Sequence, residues 1–195
     1  QTTDASASQT GETTPSTATG NQNNTATTKP TAGQTTTTPA ANGQITLEQA
    51  LYATLLASAN EAAYAVGENV GKNTGHDYNW FLEQMNAQCK LLGGNNSHFA
   101  NTNGLHDPNH YTCARDMALI GSELFKYPEF FQIVQTHQYE IPASATCEEH
   151  IFQQKHKMLN PNNSNYYQYA VGGKTGYTSD ALNTLITMAD NGETQ

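Results

Sequence analysis

Large apolar side chains are missing from residues 1–43 and recur with clear periods from Ile45 onward. Leu47, Leu51, Leu55 and Ala62 follow helical spacing. Thr46-Leu47-Glu48-Gln49 reads as a capping box, with Thr46 as N-cap and Gln49 three positions on. The pattern predicts a helix that carries Ser58 in the same apolar register. Ser58 there is either a small packing residue or a hydroxyl aimed at a buried site. A second helix is predicted from Tyr78 to Leu92. Its stripe is Phe81, Met85, Cys89 and Leu92, and Gly93-Gly94 is its stop signal. A polar, turn-rich loop follows from Asn95 to Tyr111. A third helix is predicted from Thr112 to Phe125, capped by Thr112, with Met117, Ile120 and Leu124 inward. Pro128 ends that region, and a short helix is expected over Glu129–Val134.

The period then changes. Gln138 to Ile141 alternates like a strand and stops at Pro142. Tyr166 to Val171 is β-prone, Gly172 to Gly176 interrupts it, and Leu182 to Met188 resumes a strand pattern. Asn191-Gly192-Glu193 is a hairpin-turn signal. Helices first and strands last imply an α+β fold with an antiparallel sheet.

Composition separates the two parts of the chain. Residues 1–43 are mostly Thr, Ser, Ala, Asn, Gln and Gly, with Asp4, Glu12 and Lys29 their only charges. Such a segment cannot bury enough apolar surface to offset its chain entropy. It is expected to be a disordered linker or a long loop insertion, tolerable because loop-closure entropy grows slowly with length. The folding unit is expected in residues 44–195. The net charge of -9 and the lack of a basic stripe argue against a nucleic-acid partner. No apolar run reaches the ~20 residues of a membrane span. Three Cys make no paired disulfide framework, and no metal-ligand spacing relates His98, His106 and His110. Neither a metal nor a cofactor is expected.

Candidate chemistry lies in two short strings. Gly172-Gly173-Lys174-Thr175-Gly176 combines a cation, a hydroxyl and open backbone, which suits an anionic group such as a carboxylate. Alone it could equally be a solvated glycine-rich turn. Ser58-Ala59-Asn60 lies upstream. Ser-x-Asn followed by Lys-Thr-Gly is the order of two of the three elements of penicillin-binding proteins and class A β-lactamases.

Residues 44–190 resemble the serine D-alanyl-D-alanine carboxypeptidases of the low-molecular-weight penicillin-binding-protein type. Leu47 to Ala63 resembles that family's helix leading into Ser-x-Asn-(Asp/Glu)-Ala-Ala. Phe81 to Asn86, followed by Leu91-Leu92-Gly93, resembles its next helix. His98 to His106 resembles its loop ending in Gly-Leu, His110 to Ala118 its His-Tyr-Ser-Thr-Ala-Arg-Asp-Met-Ala segment, and Val171 to Thr178 its Lys-Thr-Gly strand. The resemblance implies a partial penicillin-binding-protein or β-lactamase-like transpeptidase fold. It implies removal of the terminal D-Ala from peptidoglycan stem peptides through an acyl-enzyme, and reaction with β-lactams. It implies an extracytoplasmic bacterial location and a part in building the cell wall. By the same resemblance Ser58 relays a proton and Asn60 orients the substrate or the base. Lys174, Thr175 and Gly176 bind the substrate carboxylate end, and Thr178 sits on the same rim. Arg115 and Asp116 match the family but read as structural.

One departure stands out. No Ser-x-x-Lys occurs in residues 1–195. The family takes its nucleophile and base from that motif, upstream of Ser-x-Asn. Two expectations follow. Either the nucleophile precedes residue 1 and the Thr-rich tract is an insertion within the catalytic domain, or the chain is a catalytically dead relative that binds wall peptide or a protein partner.

Overall fold

The computed structural model describes residues 44–145 and 147–194. The expectations for residues 1–43 lie outside the described residues.

The chain enters through the capping box anticipated at Thr46. Gln49 N–H donates to Thr46 Oγ1 at 3.1 Å, and Thr46 N–H donates back to Gln49 Oε1 at 2.8 Å. Helix α1, Leu47–Tyr52, then widens into a π-helical turn, Ala53–Ala57. Ser58 ends that turn in the left-handed region, and α2 begins two residues later, Asn60–Asn73. The predicted continuous helix is therefore two helices with a break at Ser58. The apolar register survives the break, because a wide turn shifts the helix face without interrupting the spacing of small and apolar residues.

Helix α3, Tyr78–Leu91, starts on Asp77, whose carboxylate accepts the Trp80 N–H at 2.8 Å. Helix α4, Ala114–Leu124, starts one turn-position later than the sequence suggested. Cys113 is its N-cap, without a side-chain cap bond, and the Thr112 hydroxyl instead pairs with Ser97 Oγ at 2.7 Å. Helix α5 is Pro128–Val134, with proline where the first helical N–H would be unsatisfied anyway.

Two antiparallel hairpins complete the described residues. Strand β1, Gln138–Ile141, pairs with β2, His150–Gln153. Strand β3, Ala170–Thr178, pairs with β4, Leu182–Ala189, with Lys174 opposite Ile186. The Gly-rich string that seemed to interrupt a strand is the middle of β3, whereas Tyr166 to Tyr169 precede it as loop and turn. A 3-10 turn, Lys157–Leu159, leads from β2 toward β3.

The main core joins the first helical segment to the first hairpin. Ala50, Ala53, Leu56 and Ala62 pack with Ile141, Cys147 and Phe152, all nearly inaccessible to solvent. Burying large side chains such as Leu56 and Phe152 stabilises by roughly 1.5–3 kcal/mol each. This core fixes the Ser58 break, which directly follows the core residues of the π-helical turn. Helix α4 covers β4 through Gly121, where any Cβ would stand 2.9 Å from Ile186 Cδ1. No helix among the described residues is long and apolar enough to cross a membrane.

Candidate functional site

Ser58 has φ 59° and ψ 43°, a conformation that non-glycine residues hold at a cost of about 1–3 kcal/mol. The Ala53 carbonyl accepts both the Ser58 N–H and the Ala59 N–H, the latter at 3.1 Å. That closure turns the exposed Ser58 hydroxyl away from the helix and toward β3. Lys174 Nζ donates to Ser58 Oγ in a short hydrogen bond. It also donates to the Thr175 carbonyl at 2.7 Å. Two strings 116 residues apart thus meet at one bond.

The strand beneath Lys174 is tightly seated. A Cβ at Gly173 would lie 2.4 Å from the Ile186 carbonyl oxygen and 2.5 Å from His156 Nε2. Only glycine allows β3 to approach both at this depth. His156 is 1% exposed, and its Nε2 lies 3.0 Å from Thr187 Oγ1 and 3.3 Å from the Ile186 carbonyl. Burial holds its imidazole below the usual histidine range, against the smaller opposing effect of the Ile186 carbonyl. His156 is thus a neutral wedge beneath the strand.

Burial pushes the half-buried Lys174 ammonium down to about 8, and the Lys155 charge works in the same direction. Lys155 Nζ donates to the Ala57 carbonyl, next to Ser58, at 2.6 Å. Among the described residues no carboxylate forms an ion pair with either lysine. Two of the eight Lys and Arg side chains therefore meet the Ala57-Ser58 segment, Lys155 at the Ala57 carbonyl and Lys174 at the Ser58 hydroxyl, in a chain of net charge -9. The arrangement offers an anion two ammonium groups and a hydroxyl at an exposed rim.

The other candidates fall around this pair. Asn60 is the first residue of α2, and its side chain has no hydrogen-bond partner among the described residues. Thr175 and Gly176 follow Lys174 along β3. Thr178 lies at the far end of the strand, where its Oγ1 accepts the Ala181 N–H at 2.9 Å and shapes the hairpin turn. Lys155 and His156 were missed by sequence reasoning. Lys155-His156-Lys157, a basic trio in an acidic chain, was the available signal.

The polar loop after α3 is a built structure as well. Asp116 is fully buried and accepts the Asn96 N–H at 2.7 Å and Ser97 Oγ at 2.9 Å. Burial alone would raise its carboxyl, but these donors, Cys113 and Arg115 together hold it below the usual carboxylate range. Arg115 also donates to the Gly93 carbonyl at 3.0 Å. These contacts are those of loop anchors. His98 and His110 serve the same loop. His98 Nδ1 lies 2.6 Å from the Asn109 carbonyl, and His110 Nδ1 accepts the Ala100 N–H at 3.2 Å.

Known proteins resemble this chain in both sequence and fold. The family model for D-alanyl-D-alanine carboxypeptidase matches residues 5–195. D-alanyl-D-alanine carboxypeptidase DacF of Bacillus subtilis is 29% identical over 150 residues, 76% of this chain and 36% of that protein. DacA of Haemophilus influenzae is 30% identical over 151 residues, 76% of this chain and 34% of that protein. The crystal structure of the D-alanyl-D-alanine carboxypeptidase of Mycobacterium tuberculosis superposes with a TM-score of 0.65 at 28% identity, covering 76% of this chain and 52% of that one. The chain thus spans about a third of the length of the two sequence relatives it matches. With a family match over nearly every residue and the fold to support it, this chain belongs to the D-alanyl-D-alanine carboxypeptidase family.

Proposed function

We propose that the chain forms the Ser-x-Asn and Lys-Thr-Gly half of a serine carboxypeptidase site that removes the terminal D-Ala from peptidoglycan stem peptides. The hydrogen bond between Lys174 and Ser58 carries this reading, because it unites the two motifs at one exposed rim. The nucleophilic serine and its lysine base belong, in this reading, to a Ser-x-x-Lys segment beyond these 195 residues.

The chemistry follows from the groups present. The serine attacks the carbonyl between the last two D-Ala residues, the terminal D-Ala leaves, and water hydrolyses the acyl-enzyme. Lys174 binds the terminal carboxylate through a charge-assisted hydrogen bond, and Thr175 adds its hydroxyl. Ser58 passes a proton between the base and the leaving nitrogen. Asn60, unengaged at the start of α2, orients the peptide or the base. Gly176 follows on β3, packed closely against Thr184, and presents its backbone to the substrate, and Thr178 lies farther out on the same strand. β-Lactams acylate the same serine. The substrate places the protein outside the cytoplasm, in the bacterial envelope.

The test is D-Ala release from a synthetic peptide ending in D-Ala-D-Ala, using the full-length protein. Lys174→Gln should lower kcat/KM about 10–100-fold, the value of a charge-assisted contact worth about 1.5–3 kcal/mol. A wild-type protein without turnover would instead favour the binding-only reading, in which the chain holds wall peptide without cleaving it.

A further inference from the structure

Lys155 belongs to the connection between β2 and the 3-10 turn, yet its ammonium reaches the first helical segment, 98 residues away in sequence. Its acceptor, the Ala57 carbonyl, closes the π-helical turn and shares a peptide bond with Ser58. Carbonyls at a helical C-terminus lack partners within the helix, and a cation there is favoured. The contact thus restrains the peptide whose orientation sets the left-handed Ser58. Ser58 in turn accepts from Lys174. The hydroxyl is framed by one ammonium on the preceding peptide and another on its own oxygen.

We propose that Lys155 is a positioning residue for the Ser58–Lys174 pair: its ammonium holds the Ala57 peptide that aims Ser58, and its charge opposes a second ammonium at Lys174. The proposal rests on the carboxypeptidase reading above and assigns it a residue outside the Ser-x-Asn and Lys-Thr-Gly motifs. Few other charged groups face Lys174. His156, on the same connection, lies beneath Gly173 and is neutral through burial. Ile186, its partner on β4, carries no charge. The first helical segment offers only the Ser58 hydroxyl. Burial supplies the larger part of the downward shift at Lys174, and Lys155 is the charged side chain that adds to it.

The consequence has a definite sign. If Lys174 binds the substrate carboxylate as an ammonium, activity is lost as pH rises through its titration. Removing the Lys155 charge raises that titration and moves the alkaline limb of kcat/KM to higher pH. Loss of the Ala57 contact also lowers kcat/KM on the plateau.

The experiment compares wild type, Lys155→Met, Lys155→Gln and Lys155→Arg in the full-length protein. Two readouts are taken: the Lys174 titration followed by NMR of its side chain, and the pH profile of D-Ala release. Lys155→Met should raise the Lys174 midpoint, shift the alkaline limb the same way and lower plateau kcat/KM about fivefold. Lys155→Gln keeps a donor for the Ala57 carbonyl, so it should shift the limb with a smaller plateau loss. Lys155→Arg should restore both. An unmoved midpoint and limb in both Met and Gln variants would overturn the proposal, even if rates fall. If the midpoint moves but wild type releases no D-Ala, the carboxypeptidase reading fails while the tuning of Lys174 by Lys155 stands.

Discussion

At the scale of single residues, the site combines two unfavourable features. Ser58 is held in a left-handed conformation, and Lys174 keeps an ammonium in a partly desolvated position. Both cost stability and both place chemistry where it can meet a ligand. Ser58→Gly should unfold at higher urea than Ser58→Ala, by about 1 kcal/mol, because glycine accepts positive φ freely. Both variants should lose D-Ala release. Lys174 has a folded pKa of about 8 against an ordinary 10.5, so its stability contribution is fully present above 10.5 and is lost as pH falls through 8. Lys174→Met should therefore raise stability at pH 7, on the order of 1 kcal/mol, while abolishing carboxylate binding. The Ser58–Lys174 pairing was legible in the sequence only through the order of two known motifs. The Lys155 contact was not, because nothing in local spacing shows which distant carbonyl a lysine will reach.

At the scale of elements, glycine placement sets how deeply β3 lies. The alternation rule read Gly172 to Gly176 as an interruption, because glycines carry no side chain to register a period. Gly173 is instead what lets the strand pass over His156 and the Ile186 carbonyl, while Gly172 and Gly176 give way to Phe131 and Thr184. Gly173→Ala should destabilise by about 1–3 kcal/mol and misplace Lys174, since backbone atoms cannot yield as a side-chain tip can. Gly121→Ala should be milder, because the flexible end of Ile186 can move aside. Urea denaturation of the two variants would test that order. Strand β2 escaped sequence reading because its burial alternation does not follow polarity: a histidine, His150, is buried while Ile151 is exposed. Helix α3 was legible almost to the residue, since its stripe and its Gly93-Gly94 stop agree. The loop after it read as polar and turn-rich with Asp116 as a structural residue, and the buried Asp116 does anchor it. The depressed carboxyl of Asp116 gives stability present above its ordinary value near 3.8 and lost as pH falls through its folded value. Asp116→Ala should speed amide exchange at Asn96, whose N–H it accepts.

At the scale of the whole molecule, the described residues bring Ser58, Lys155 and Lys174 together, the part of the proposed site that this chain supplies. The chain spans about a third of the length of its sequence relatives, and the Ser-x-x-Lys motif lies in none of its residues. The α+β class was legible because helical and strand periods occupy separate stretches of sequence. The meeting of the two stretches at Ser58 depends on long-range packing of the first helical segment on the first hairpin, which no local pattern encodes. The most direct measurement is covalent trapping of the full-length protein by a labelled penicillin, read by mass spectrometry of the intact chain. One adduct per chain is expected, forming at least tenfold more slowly in Lys174→Gln. No adduct on the wild-type protein, or an adduct whose rate ignores Lys174, would contradict the assignment of this pair to a serine carboxypeptidase site.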